Sequence, residues 1–197
     1  SYTLQVENVV NENDSNIPNI NNNYCVTDKA DGERRLLYIS SIGKIYMINT
    51  NMQVIFTGTK TTTEDVFGSL IDGEYIKYDK NNTYINLYAC FDVYFIKGKD
   101  IRSLPFIHKQ DGNTIDRLSK LQEIVNNIKH TPVINTLDTQ LRINIKEFYT
   151  STEDISIFSC CSQILSNIED GTFEYNTDGI IFTPNMIGVG INETNDK

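Results

Sequence analysis

The segment YCVTDKADGERRLLY, residues 24–38, places one lysine and a turn-forming Asp31-Gly32 pair between two apolar runs. A plain β-hairpin needs the Asp-Gly pair for its turn, but it does not need Lys29 before the turn or Arg34 after it. A lysine that is partly buried beside cations has a lowered pKa, so some neutral amine is available as a nucleophile. The segment therefore predicts a nucleophilic Lys29 whose pKa is lowered by burial near the two arginines, which would also bind phosphate or ribose oxygens.

Length and composition narrow the class of protein. A chain of 197 residues with 39% hydrophobic and 22% charged residues is long enough to bury a core and is typical of a globular domain. The net charge of −9 argues against a broad nucleic-acid-binding face. Four cysteines without a Cys-x-x-Cys pair, together with two histidines, argue against a zinc site. No apolar run approaches the length of a membrane span, so no membrane partner is expected.

Hydrophobic patterning predicts an α+β fold, mostly antiparallel sheet, with few outer helices. Short apolar runs separated by turn residues indicate an antiparallel meander, and a long aromatic and β-branched run indicates a central strand. Apolar residues at helical spacing indicate two helices, the first capped by Asn113 or Thr114. The predicted strands are 1–10, 24–27, 36–40, 45–48, 53–56 and 84–96, the predicted helices are 115–128 and 154–167, and 57–64 is predicted to be a polar loop.

Four short segments of the chain carry a family resemblance. Lys-x-Asp-Gly-x-Arg at 29–34 resembles the signature of covalent nucleotidyltransferases, which include mRNA capping guanylyltransferases and ATP-dependent DNA and RNA ligases. The segments Asp-Gly-Glu at 72–74, Phe-Asp at 91–92 and Asp-Gly-Ile-Ile-Phe at 178–182 resemble later motifs of that family, in the same order. The resemblance implies antiparallel sheets that form a nucleotide cleft, as in a nucleotidyltransferase or ATP-grasp-like domain.

The resemblance also implies a role for each motif residue. It assigns Lys29 as the catalytic nucleophile, Arg34, Glu74 and Phe91 to nucleotide binding, Glu74 and Asp178 to a Mg²⁺ or Mn²⁺ ion, and Asp92 as a supporting acid. From the residues alone, other interpretations stay open. The later Asp-Gly pairs could be ordinary hairpin turns, and Phe91 could be a core residue, with Tyr88 and Tyr94 as rival stacking platforms. Asp92 lies in an apolar strand and requires a cation or metal partner.

Local details favour the capping branch, most like the capping enzymes of giant DNA viruses of the mimivirus type. These details are the small Ala30 after the lysine, the Arg-x-Leu-Leu pattern at 34–37 and an aspartate, Asp178, at the start of the fourth motif. Residues 48–53 lack the arginine that cellular capping enzymes often carry there. The resemblance implies GTP and 5′-diphosphate RNA as substrates. An ATP-dependent DNA or RNA ligase adenylation domain and a nucleotide-binding scaffold that no longer reacts remain the alternatives.

We expect residues 1–197 to form a guanylyltransferase domain that is incomplete at its C-terminal end. After the fourth motif we find neither the lysine-bearing fifth motif nor the pattern of an OB-fold domain. The resemblance implies a longer polypeptide, with covalently linked triphosphatase, OB-fold and methyltransferase domains. It also implies a cytoplasmic location, in the viral factory of an infected cell or in the virion.

Overall fold

The strands form two sheets in the computed structural model, which describes residues 3–10, 17–108, 115–133 and 139–190. The strands are β1 (Tyr24–Ala30), β2 (Glu33–Ile39), β3 (Lys44–Asn49), β4 (Val54–Thr61), β5 (Leu70–Tyr78), β6 (Tyr84–Ile96), β7 (Lys99–Asp100), β8 (His130–Pro132), β9 (Arg142–Ile145), β10 (Tyr149–Thr150) and β11 (Thr177–Pro184). The helices are α1 (Arg117–Asn127) and α2 (Ile157–Glu169), and short 3-10 turns span Val6–Asn8 and Glu64–Val66.

The smaller sheet has the order β10-β1-β11, and the larger has the order β7-β6-β5-β2-β3-β4-β8, with β9 beside β6. Among the described strands, only β9 pairs in parallel, with β6. The predicted α+β fold with mostly antiparallel sheet is confirmed.

Residues Asp31 and Gly32 carry the chain from one sheet to the other. Strand β1 pairs with β10 and β11, whereas β2 pairs with β3 and β5, so the motif is not the turn of a hairpin. A Cβ atom on Gly32 would lie 2.7 Å from Cγ of Glu74 and 2.9 Å from the Tyr75 carbonyl oxygen. Glycine is therefore required where the crossing passes against β5.

Each helix packs on one sheet and supplies part of a separate core. Leu121 and Ile124 of α1 pack with buried residues of the larger sheet, and Ile157 and Ile164 of α2 pack with Val26 of β1. A third apolar cluster joins the end of β1 to the larger sheet; it comprises Ala30, Ile76, Ile85, Leu87 and Ala89. The end of β1 that carries Lys29 is thereby fixed against β5 and β6.

Several predicted elements differ in detail. Strand β6 and both helices are confirmed. Strand β4 continues to Thr61, through most of the loop predicted at 57–64. Within the strand predicted at 1–10, Val6–Asn8 forms a 3-10 turn. Asp116 caps α1 by accepting a hydrogen bond from the Ser119 backbone N–H at 2.7 Å. The predicted caps at 113 and 114 lie outside the described residues. Within the described chain, no helix has the length and apolar character needed to cross a membrane.

Candidate active site

Lys29 and Asp178, which are 149 residues apart in the chain, are brought into contact by neighbouring strands. The register of β1 and β11 shifts across Lys29, so that Asp178 and Gly179 both lie opposite it. Such a β-bulge redirects a side chain, and Gly179 has the positive φ of 109° that favours glycine. Lys29 Nζ lies 2.5 Å from Asp178 Oδ2. The first and fourth motifs therefore form one site, and the hairpin interpretation of 178–179 is wrong.

The ion pair with Asp178 favours the protonated form of Lys29. The Lys29 side chain is 48% exposed, and its pKa is raised because Asp178 accepts its hydrogen bond and adds a negative charge beside it. The predicted lowering of the Lys29 pKa by burial near the arginines is wrong for this state of the protein. Arg34 is bound to Asp72, and Arg35 points to the opposite face of β2, since neighbouring residues of a strand alternate.

We predict that Asp178→Asn makes the Lys29 amine more reactive in the protein without nucleotide. Loss of the carboxylate removes the main cause of the raised pKa, and below the pKa each unit of decrease gives about tenfold more neutral amine. The measurement is the rate of acetylation of Lys29 by dilute acetic anhydride, followed by peptide mass spectrometry. Asp65→Asn is the matched control, because it removes a carboxylate from a surface lysine ion pair of 2.6 Å at Lys97 and should leave the acetylation of Lys29 unchanged. An unchanged or slower rate at Lys29 in Asp178→Asn contradicts the prediction.

The larger sheet presents Arg34, Asp72 and Glu74 on one face. Arg34 and Glu74 are direct cross-strand partners on β2 and β5, and such partners project to the same side. The Arg34 guanidinium binds Asp72 in bidentate fashion, with Nη2–Oδ2 at 2.6 Å and Nε–Oδ1 at 3.2 Å, and the Tyr94 hydroxyl also donates to Asp72. Asp72 is fully buried while the Arg34 side chain is 61% exposed, so Arg34 is held in place yet remains accessible to a ligand.

Glu74 is the carboxylate best suited to a metal ion. It is half-buried, and burial raises its pKa, although the positive charges of Lys146 and Arg34 oppose the effect. Within the described residues, no side chain donates a hydrogen bond to the Glu74 carboxylate. Glu74 also adds to the raised pKa of Lys29, so it acts on the same amine as Asp178.

Metal binding by Glu74 and Asp178 stays a prediction, and two carboxylates are the donor set expected for an ion that arrives with its substrate. The described residues contain no cluster of three or more metal-ligating side chains. Mg²⁺ is usually bound by one or two carboxylates together with substrate phosphates and water, and Glu74 and Asp178 supply that number. The hairpin interpretation of residues 72–73 is wrong, because both lie inside β5.

Phe91 is a better candidate for a base platform than its two rivals. It is the extra residue of a β-bulge, because Asp72 pairs with Asp92 and Gly73 with Cys90, and it is partly exposed. Tyr88 is fully buried, and its hydroxyl donates to two backbone carbonyls of the larger sheet. The Tyr94 hydroxyl is engaged by Asp72. Stacking of a base on Phe91 stays a prediction.

Asp92 has the cation partner that its burial requires, but the partner is an arginine of α1. Arg117 Nε and Nη2 lie 2.8 and 3.1 Å from the two carboxylate oxygens of Asp92. Arg117 also donates to the carbonyls of Leu104 and Ile187, so the pair joins α1 to the segments that flank β6 and β11. The observed contacts of Asp92 stabilise the fold, and the role of Asp92 as a supporting acid stays a prediction.

Sequence reasoning missed a second buried ion pair at this site, between Lys146 and Asp28. Lys146 Nζ lies 3.3 Å from Asp28 Oδ2, and the two side chains are 3% and 2% exposed. No local signal marked the pair, because β9 reads Arg-Ile-Asn-Ile and strand alternation groups Lys146 with the polar positions 142 and 144 rather than with the two isoleucines.

Comparisons with known proteins identify the family of the chain. The family model described as "mRNA capping enzyme, catalytic domain" matches residues 10–193. A probable mRNA-capping enzyme of Acanthamoeba polyphaga mimivirus is 41% identical over 100 residues, which cover 50% of this chain and 8% of the relative. The chain thus matches only a small part of that relative's length.

Two solved structures share the fold at low sequence identity. The mycobacterial DNA ligase D complexed with ATP and MES has a TM-score of 0.53 at 13% identity, over 84% of this chain and 49% of that chain. The ligase domain of LigD from M. tuberculosis has a TM-score of 0.51 at 13% identity, over 84% and 50%.

Proposed function

The chain belongs to the family of mRNA capping enzyme catalytic domains, and we propose that it is the nucleotidyl-transferring domain of an mRNA guanylyltransferase. The observation that carries the proposal is the Lys29–Asp178 contact at the point where β1 crosses to the sheet that presents Arg34 and Glu74. The proposal is supported by a primary amine in contact with one carboxylate, Asp178, and under the charge of a second, Glu74. The Arg34 guanidinium, the cross-strand partner of Glu74, adds a fixed cation, and such groups can attack a phosphate and balance its charge.

The proposed reaction has two transfers. The Lys29 amine, after losing a proton, attacks the α-phosphorus of GTP; a P–N bond forms, the bond to pyrophosphate breaks, and a lysyl-GMP results. A terminal oxygen of a 5′-diphosphate RNA then attacks the same phosphorus, the P–N bond breaks, and Lys29 is regenerated as GMP passes to the RNA.

Side chains of the site orient the reacting groups and neutralise the phosphate charge. Asp178 orients the Lys29 amine, and Arg34, fixed by Asp72, binds phosphate or ribose oxygens. Glu74 contacts the ribose or holds the ion, and Phe91 stacks on the base. A Mg²⁺ or Mn²⁺ ion bound by Glu74 and Asp178 would neutralise phosphate charge in the transfer.

Two other functions use the same site. An ATP-dependent ligase domain would form lysyl-AMP, and the likeness to ligase structures at 13% identity concerns the fold alone. A scaffold that does not react would have no use for an exposed lysine aligned with Asp178. The capping family match favours the guanylyltransferase over both.

We predict that the complete polypeptide containing this domain is labelled covalently by α-labelled GTP and not by ATP. The reason is its membership of the capping family, together with Ala30 after the nucleophile and Asp178 in the fourth motif. The measurement is gel autoradiography after incubation with each nucleotide and Mg²⁺ or Mn²⁺, with excess unlabelled GTP or ATP as competitor. Labelling by ATP alone would place the protein with the ligases, and no labelling by either nucleotide would favour the scaffold.

The remaining features of the whole protein are part of the same proposal. Linked triphosphatase, OB-fold and methyltransferase domains are compatible with a relative of which this chain covers 8%. Because that relative is viral, we also propose that capping takes place in the cytoplasm of an infected cell.

A further inference from the structure

A second lysine lies behind the strand that carries the proposed nucleophile. Lys146 directly follows β9, and its backbone N–H donates to the Cys90 carbonyl at 2.9 Å, so it belongs to the larger sheet. Its Nζ donates to the Asp28 carbonyl oxygen, which belongs to the peptide bond between Asp28 and Lys29. The ammonium therefore connects the larger sheet to the peptide unit that leads into the nucleophile.

The surroundings of Lys146 hold it in one place. Its side chain is 3% exposed, and the Asp28 carboxylate that it faces also accepts the Tyr175 hydroxyl at 3.2 Å. A second bond nearby has the same effect, because Thr27 Oγ1 donates to the Glu147 carbonyl at 2.6 Å. Two side-chain bonds thus join consecutive residues of β1 to residues 146–147.

The bond from Lys146 to the Asp28 carbonyl lies where the pairing of β1 with β11 is irregular. Strand β1 changes register against β11 between Asp28 and Ala30, so the pairing of β1 with β11 is irregular at Lys29. A buried ion pair is a costly way to hold two sheets together, since apolar side chains of similar volume are often as stable or more so. A directed bond to the Asp28 carbonyl does what apolar contact cannot, because it fixes the orientation of one peptide unit.

We propose that Lys146 is a positioning residue for nucleotidyl transfer, which holds the Asp28–Lys29 peptide so that the Lys29 amine is aligned with the α-phosphate. The inference rests on the proposed function of Lys29. Lys146 touches neither the nucleotide nor the reacting atoms in this account and acts through β1. Its charge also lowers the pKa of Glu74, and Lys146→Arg, which keeps that charge, separates this effect from positioning. Misplacement of a reacting group by about 1 Å costs on the order of 10²-fold in rate, and this sets the size of the expected effect.

The test uses the complete polypeptide with Lys146→Met and Asp28→Asn combined, because the double change leaves no buried unpaired charge. We expect single-turnover labelling by α-labelled GTP to slow by about 10²-fold. Binding of a GTP analogue with a methylene bridge between the α- and β-phosphates should stay within about twofold, because no nucleotide contact is lost. Lys80→Met is the matched control, since it removes a 2.5 Å lysine-to-carbonyl bond to Gly171 away from Lys29 and should leave labelling unchanged.

Amide hydrogen exchange gives a second readout that needs no turnover. We expect faster exchange at residues 28–30 in the double variant and unchanged exchange in α1. A wild-type protein that GTP and ATP both fail to label would refute the proposed function, while the exchange data would still show whether Lys146 orders β1.

Three results would overturn the positioning role. The first is a double variant with wild-type labelling and exchange, which would make the pair a structural contact only. The second is a loss of analogue binding equal to the loss of rate, which would make Lys146 a nucleotide ligand. If the double variant does not fold, Lys146→Arg is measured instead. Its wider guanidinium should displace the Asp28 carbonyl and slow labelling at unchanged affinity for the analogue. Normal labelling of Lys146→Arg is the third result that would refute the proposal.

Discussion

Lys29→Arg is expected to abolish covalent labelling by GTP, with a decrease of more than about 10³-fold, as found when a covalent nucleophile is removed. Arginine keeps a positive charge opposite Asp178 but has no amine that can be deprotonated at accessible pH. The exposed ion pair between positions 29 and 178 can form with either cation, so the domain should remain folded. We expect the thermal unfolding midpoint to stay at the wild-type value, as for surface substitutions.

The measurement combines autoradiography with mass mapping of the labelled peptide. Lys44→Arg is the control, because Lys44 lies exposed at the start of β3, away from the proposed site, and should not affect labelling. The wild-type adduct should be stable to base and labile to acid, as a phosphoramidate is. Labelling that persists in Lys29→Arg, or an adduct that maps to Lys44 or Lys60, would remove the basis of the proposed function.

The sequence predicted the strands and helices whose residue pattern lies within a single segment of the chain. The run from 84 to 96 is rich in aromatic and β-branched residues and forms β6 over the same residues. The two helices follow from apolar residues at helical spacing. The Asp31-Gly32 pair, by contrast, looks like a hairpin turn and instead connects two sheets. A local pattern cannot show that β1 leaves β2 and pairs with β10 and β11, because the residues of those two strands lie more than 100 positions away in the chain.

The motif residues were found by resemblance, whereas their electrostatic state was not predictable. Lys29 was expected to be buried among arginines, yet strand alternation turns Arg35 to the other face, and Asp72 binds Arg34. The cation that balances Asp92 lies on a helix 25 residues away, and the one that balances Asp28 lies 118 residues away. Such partners depend on three-dimensional packing, so the sequence could predict a need for a partner at Asp92 but not its identity.

Glu74→Gln and Asp178→Asn are each expected to reduce labelling by about 10²- to 10³-fold, the loss typical when a group that stabilises transition-state charge is removed. Neither side chain contributes to a core: Glu74 has no hydrogen-bond donor among the described residues, and Asp178 is 71% exposed. Both variants should therefore unfold at the wild-type midpoint. Asp65→Asn, which removes an exposed carboxylate elsewhere, is the control and should label normally.

Asp178→Asn separates two roles of the Asp178 carboxylate: stabilising the protonated form of Lys29 and binding the metal ion. If Asp178 only held Lys29 protonated, its loss would give more neutral amine and faster labelling. If it also binds the ion that neutralises the phosphates, acetylation of Lys29 should accelerate while labelling by GTP falls. The second pattern is expected, because a more reactive amine cannot compensate for phosphate charge that is no longer balanced. The defect should be partly reversed at higher Mg²⁺ or Mn²⁺ concentration, since Glu74 still provides one ligand. Normal labelling of Asp178→Asn at low Mg²⁺ would rule out the metal-binding role.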